Sequence, residues 1–474
     1  MYLVITQTDS GGSITYKEYR SLRNLSFSPE ADLIAQSLPV NQFSCDIITG
    51  DDVGMGENAE LYDDMDNLFA SYWVASAYHP DPKTLRITAK SLFALMENAG
   101  ELPAEMFASK SAADAILDCI KAPGSRFGAG NLSIDSSLAG ATLDGFVPQQ
   151  NARERLLWIL FALGAWAKTA FNNVVEILPI DDTETLIPVG RTFWQPSATE
   201  TDIVTALRVK AWSFTLIQPT TETAVRYVTE RDPRTGRMRR RMITEIKTVQ
   251  SQQVDSTALT DGTNYWTAEA QTVELANSAA PAAAPENVVE FSDVYLVNGN
   301  NASAILTRLA SRYFKPTVVE ADVINNADYA PGDKVAVHAG GGAIYSGFIE
   351  REDFSFGVQA RSRLTLTACE KLDTAKLVVL CMYGETQIDR QEYVFPVGYA
   401  YSVDMLFIDW TMSRHRYIFR PTQATLTGTM PAGGAEMEVE YAVALDLYKG
   451  VLSIYNVDDI TTVTEDGVVV GVIS

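Results

Sequence analysis

Tyr72-Trp73-Val74-Ala75-Ser76-Ala77-Tyr78-His79-Pro80-Asp81-Pro82-Lys83-Thr84-Leu85-Arg86-Ile87-Thr88-Ala89 decides the fold class. Aromatic and small apolar residues fill the first flank, Pro80, Asp81 and Pro82 break the middle, and Thr84 to Ala89 resumes a period of two. Two such runs around a Pro/Asp break predict a β-hairpin. Upstream, the pattern predicts strands at Tyr2–Thr6, Ser13–Tyr19 and Gln42–Ile48. Downstream it predicts strands at Val204–Leu216, Thr317–Ile324, Lys334–Ala339, Ala343–Glu350 and Ser362–Cys369. The last hundred residues add Leu377–Met382, Gln391–Phe395, Thr422–Thr427, Ala435–Leu447 and Val451–Val457. Thr220–Thr229 is placed to face Arg241–Gln250 across the turn signal Asp232-Pro233-Arg234-Thr235-Gly236.

Four helices interrupt these strands. Leu61, Met65, Leu68, Phe69 and Tyr72 have helical spacing and predict a helix over Ala59–Phe69 with an acidic outer face. Ser109 or Ser111 caps a second helix running to Ile120, which Pro123-Gly124 stops. Asn151 opens the third, where Leu156, Leu157, Leu160, Leu163 and Ala167 cover one face. Trp158, Phe161 and Trp166 widen that face until little polar surface is left, so this helix is expected inside a domain or against a partner. Asn301–Phe314 is the fourth. Ala276–Pro285, with six alanines and two prolines, reads as a loop. The sum is a mainly β, multidomain chain with a few helices. It lacks the strand-helix alternation of a doubly wound sheet or a barrel of eight repeats.

The 474 residues carry 60 acidic and 37 basic side chains, a formal charge of −23. A field of that sign opposes contact with a phosphate backbone. Cysteines at 45, 119, 369 and 381 are too few for a disulfide scaffold and fit a reducing site of synthesis. Met1 to Thr6 has no basic leader or long apolar stretch, so no secretory signal is expected. The longest apolar run, Leu156 to Ala167, falls short of the ~20 residues that cross a bilayer.

Catalytic signals are sparse. His79, His338 and His415 have no neighbouring ligand in sequence, and Cys369 and Cys381 read as buried small hydrophobes on neighbouring strands. Gly340-Gly341-Gly342 leads into a predicted strand rather than a helix, and so reads as a β-turn rather than a phosphate loop. Glu57, Glu60, Asp63, Asp64 and Asp66 form a dense acidic run, but paired glycosidase carboxylates need a fixed separation across a cleft, which a run does not specify. No catalytic, cofactor or metal residues are therefore assigned. One island opposes the general charge: Arg226, Arg231, Arg234, Arg237, Arg239, Arg240 and Arg241, clustered about the predicted hairpin tip. Guanidinia crowded in this way are relieved by carboxylates, phosphates or solvent, and in an acidic chain a carboxylate-bearing protein surface is the expected partner. These arginines, with Trp158, Phe161 and Trp166, make up the candidate interaction surface.

Three stretches resemble bacteriophage and prophage tail-hub or tail-tip proteins. They are Asn24–Pro29 with Leu38–Ile47, then Ala59–Trp73, and finally Tyr329–Val335 with Ala343–Glu350. The resemblance implies an N-terminal β-barrel-like module over 1–95 and a small β-domain, preceded by a helix, over 301–375. Between them lie a mixed α/β segment with the buried helix, 96–205, and a hairpin-rich segment, 206–300. Residues 376–474 match nothing in that family and are expected to form one or two β-modules with a core including Tyr417, Phe419 and Tyr441–Leu447. The resemblance further implies a ring oligomer, with a trimer favoured, and neighbours among tube and tip subunits. It places the protein in a virion tail, made in a bacterial cytoplasm, without enzymatic activity or membrane contact. A surface ligand- or carbohydrate-binding β-protein, and a carboxylate-dependent enzyme such as a glycosidase, are the competing classes. The first calls for an exposed aromatic platform, the second for a cleft with perturbed carboxylates.

Overall fold

The computed structural model describes residues 1–474 except 9–13, 64–65, 67, 170–172, 188–191, 218–219, 232–237, 250–257, 325–328, 340–341, 357–359, 384–385, 408–421, 432–436, 447–450, 457–462, 466–467 and 472–474. The chain is mainly β, with several sheets, one of them curled into a half-barrel. The quoted hairpin forms as read: Leu68–Asp81 pairs antiparallel with Thr84–Lys90, and Asp81 faces Thr84 at the turn.

The segment read as the first helix is not helical. Asn58–Tyr62 and Leu68–Asp81 are strands, with Ala59 and Leu61 buried and their neighbours half-exposed. Asn58–Tyr62 is inserted between Tyr2–Thr8 and Leu68–Asp81 and hydrogen-bonds to both. Pairing on two sides outweighs a helical spacing that the isolated sequence also satisfies. The chain reverses between Tyr62 and Leu68, and Asp66 takes φ +64° there, which Asp tolerates better than most residues.

Four α-helices are present among the described residues: α1 Leu92–Glu97, α2 Ala112–Lys121, α3 Ala152–Leu163 and α4 Ala302–Tyr313. The Ser111 side chain accepts from Asp114 N at 3.4 Å, and Asp114 and Lys121 complement the dipole of α2 at its two ends. Asn151 Oδ1 accepts from Glu154 N at 2.8 Å to start α3. Gly164, at φ +74°, stops it four residues short of the predicted end at Ala167. Ala165–Lys168 then runs as a strand beside Val175–Pro179.

The largest sheet among the described residues has 13 strands. From one edge its strands run Thr192–Glu200, Thr317–Ile324, Ala360–Leu372, Ile344–Phe356, Leu22–Phe27, Gln42–Ile48, Thr84–Lys90, Leu68–Asp81, Asn58–Tyr62, Tyr2–Thr8 and Ile14–Tyr19. Lys334–His338 and Glu184–Leu186 branch from Ile344–Phe356. Two cores lie along this sheet. Leu3, Ile5, Phe27, Phe43, Ile47, Leu61, Tyr72 and Ile87 build one, and Ile187, Val319, Val323, Val335, Ile349, Leu364 and Leu366 the other. The four helices, the sheet around Ala206–Leu216 and part of the 28–41 segment enclose a third and larger core. Thr374–Tyr383 begins a separate sheet with its own small core at Leu377, Val379, Phe395 and Tyr401. Cys369 and Cys381 thus sit on strands of different sheets, not on neighbours as expected, and Cys369 is buried with a free thiol. Tyr417 and Phe419 lie outside the described residues.

Candidate functional site

Ile344–Phe356 belongs to two modules at once. Its first half pairs with Lys334–His338 and with Ala360–Leu372, and it carries Ile349 into the 317–372 core. Its second half places Phe354 opposite Phe27 and into the N-terminal core. Backbone bonds from Ala31 N to Glu350 O at 2.8 Å and from Glu352 N to Pro29 O at 3.0 Å stitch the join. Rings fill it: Phe27 lies 5.3 Å from Phe354 and 5.5 Å from Phe69, and Phe69 lies 4.7 Å from Phe354, edge-on. Offset and edge-to-face pairs of this kind add to what area burial alone contributes.

Polar contacts frame the rings. Buried Asn41 accepts from Glu30 N at 2.7 Å and donates to Glu30 O and to the Thr169 hydroxyl, each at 3.2 Å. Tyr72 donates its hydroxyl to Thr169 O at 3.0 Å, and burial pushes that phenol well above its ordinary pKa. Gly332 takes φ +102°, and a Cβ there would enter the indole of Trp166. The next residue, Asp333, accepts from Ala330 N at 2.8 Å and faces Lys168 Nζ at 3.6 Å. Glu352 occupies the seam itself: it is 0% exposed, and neither carboxyl oxygen has a hydrogen-bond partner. Burial pushes its pKa up to about 8, reinforced by the charge of Asp333 and opposed by the Ser362 hydroxyl.

A second seam joins the 317–372 module to the sheet beginning at Thr374. Glu184, whose side chain is nearly buried, accepts from the hydroxyls of Ser346 and Tyr399, with Lys334 Nζ at 4.0 Å. Leu186 packs on the C-terminal core. His338 meets Phe395 edge-on at 6.5 Å, and burial of its ring lowers its pKa.

The sequence-predicted surface is dispersed. Phe161 and Trp166 are 2% and 3% exposed, so they face the interior of the chain rather than a partner. Phe161 belongs to the large helical core, and Trp166 packs with Ala31, Leu33 and Phe348. Trp158 is half-buried against Tyr295 at 5.7 Å. The hairpin forms between Thr220–Arg231 and Met238–Val249, with Thr229 opposite Arg240, Val228 opposite Arg241 and Glu230 opposite Arg239. It is a two-stranded sheet of its own, and Arg226 on it is exposed. Arg231 faces Met238 in the ladder, while Arg234 and Arg237 lie outside the described residues. The acidic run engages local partners: Glu57 accepts from Gln7 at 3.1 Å, Glu60 from the Tyr62 hydroxyl at 2.9 Å, and Asp66 from the Tyr2 hydroxyl at 2.9 Å. Among the described residues no group of three or more His, Cys, Asp or Glu is arranged to hold a metal ion. No described helix is long and apolar enough to cross a membrane.

Glu352, Glu184 and Asn41 were not singled out by sequence. A charged residue at an inward position of a strand is the available signal, and the irregularity between Ile349 and Arg351 hides it by shifting the alternation.

No protein-family model and no curated protein matches the sequence. Solved structures do overlap it loosely. A tail protein from Neisseria meningitidis MC58 has a TM-score of 0.48 at 12% identity, over 77% of this chain and 96% of that one. The 43 kDa tail protein of prophage MuSo2 from Shewanella oneidensis has 0.47 at 10%, over 77% and 98%. An Escherichia coli component of the type VI secretion system has 0.40 at 7%, over 92% and 99%. Overlaps this loose carry no statement of partner or position.

Proposed function

We propose that this chain is a structural subunit of a phage or prophage tail, acting at the hub or tip to join the tail tube to the distal tip or baseplate. The observation that carries this is convergence. The three stretches that resemble tail-hub proteins lead to one joint, through Phe27 from the first, Phe69 and Tyr72 from the second, and Phe354 and Phe356 on the strand that continues the third beyond Glu350. A resemblance scattered over unrelated surfaces would say little, whereas one gathered on the connection between two modules bears on how the modules are held.

In this proposal the chain closes into a ring of its own copies, a trimer by resemblance, and contacts tube and tip subunits. With Phe161 and Trp166 inside the chain, the ring contacts fall to other elements. The hairpin Thr220–Val249 offers arginines to carboxylates of a neighbour, and the strand Ile14–Tyr19 offers a sheet edge unpaired among the described residues, with Ile14 56% and Tyr16 70% exposed. The test is light scattering on the protein alone and mixed with the proposed tube subunit. A defined oligomer in either condition is expected, and a strict monomer in both overturns the proposal.

A further inference from the structure

Glu352 has a side chain that burial should exclude unless something answers it. An ionised carboxylate out of water is costly unless paired, so such a group normally finds a cation or several donors. Here the surroundings supply neither. The strand Ala360–Leu372 faces it with Leu364 and with the Ser362 hydroxyl, which is itself buried and unpaired. The 329–333 turn contributes Asp333, of the same sign. The 28–31 segment contributes backbone, through Pro29 O, while the Glu30 side chain turns outward to Arg351 at 3.5 Å. The nearby cations are engaged elsewhere: Lys168 with Asp333 at 3.6 Å, Arg312 with Glu350 at 3.0 Å, and Arg351 with Asp353 at 2.8 Å. Below about pH 8 the carboxyl therefore keeps its proton while the strand is seated.

We propose that the join between the N-terminal and 317–372 modules is a proton-linked joint, with Glu352 keeping its proton while strand 344–356 is seated and releasing it to water when the strand lifts. The position is what makes this a device rather than a buried oddity. Glu352 lies between Ile349 of one core and Phe354 of the other, on the only strand that pairs with both modules among the described residues. Lifting that strand from Leu22–Phe27 and from the 28–31 segment withdraws Phe354 from the N-terminal core and exposes the carboxyl, while the pairing with Ala360–Leu372 stays.

The sign follows from the two states. The seated carboxyl holds its proton up to about pH 8, and the exposed one loses it above its ordinary 4.5. Lifting therefore releases a proton between these values, and the fraction lifted rises by about tenfold per pH unit across them. Above about 8 both states are ionised and the dependence ends. The joint is tightest in mild acid and most ready to open toward neutral and alkaline pH.

Hydrogen exchange of the intact chain tests this. The Ala31 and Glu352 amides report the joint, and the Ile116 amide, buried in α2, is the internal control. After correction for intrinsic exchange, protection of the two joint amides relative to Ile116 should fall about tenfold per pH unit from pH 5 to 8. In Glu352→Gln, which keeps shape and removes the proton equilibrium, the same ratio should stay level. Equal slopes in wild type and variant, or no slope in the wild type, overturn the proposal. If the variant does not fold, the wild-type ratio against Ile116 still decides between a linked proton and none.

Discussion

The two seams of the 317–372 module handle a buried glutamate in opposite ways. At the C-terminal seam Glu184 is answered by two hydroxyls and an approaching ammonium, and as their shared acceptor it ties three segments together. At the N-terminal seam Glu352 meets no donor beyond the Ser362 hydroxyl, and burial pushes its pKa up to about 8. The surrounding contacts differ to match. The first seam docks one sheet on another, through Leu186, His338 and Phe395. The second continues a single sheet across two cores and fills the join with aromatic rings. Burial alone thus says little about a carboxyl; the donors it meets decide whether it binds a joint or strains it.

The aromatic join is the costliest of these contacts to remove. Phe354→Ala should cost about 3–5 kcal/mol, the usual range for an emptied aromatic site. Urea denaturation should show the loss, with the N-terminal module released before the helical core. Gly332→Ala should cost less, on the order of 2–4 kcal/mol, from the positive φ and the Trp166 overlap together. Its marker is a changed Trp fluorescence, and an unchanged spectrum would mean that the indole moves aside freely.

At the other seam Tyr399→Phe removes a donor from Glu184 and should cost about 1–3 kcal/mol. The effect should be confined to the C-terminal sheet, as faster limited proteolysis after residue 372 with an unaltered melt of the helical core. His338 gives that seam the reverse pH response. Its folded pKa is lowered, so the unfolded or undocked state takes up the proton first as pH falls. Docking is intact above the ordinary value of 6.5 and weakens as pH drops through the lowered one. Proteolysis of the C-terminal sheet should accelerate below pH 6 in the wild type and not in His338→Phe. The smallest effect on stability is expected at the hairpin. Arg237, Arg239 and Arg240 replaced together by Ser should shift the melt by no more than about 0.5 kcal/mol, since a hairpin tip buries little. The same change should weaken assembly, more so at 50 mM than at 500 mM salt, where screening already masks the attraction. Equal assembly at both salts would leave the arginines as a solvated tip.

The strands were largely legible because alternation and turn chemistry are local. Thr317–Ile324 forms with its predicted ends, and the hairpin around Pro80 and Asp81 follows its punctuation. The helix over Ala59–Phe69 was misread because its apolar spacing fits both periods, and partners distant in sequence decided between them. Trp166 was misplaced for a related reason, as Gly164 ended the helix four residues earlier than its apolar run suggested. The joint was the least legible part. Its residues come from 27–41, 69–72, 166–169, 329–333 and 344–356, and nothing local marks Glu352 as the one charge that turns inward.

The shared strand also sets an order of events during synthesis. Leu22–Phe27 has one neighbour, Gln42–Ile48, until Ile344–Phe356 arrives on its other side. Phe354 leaves the ribosome about 330 residues after Phe27. At the usual ~5–20 residues per second, that interval lasts roughly a quarter of a minute to a minute. Throughout it Leu22–Phe27 waits with Phe27 and Phe69 uncovered by Phe354, an edge on which a second newborn copy could pair before strand 344–356 arrives.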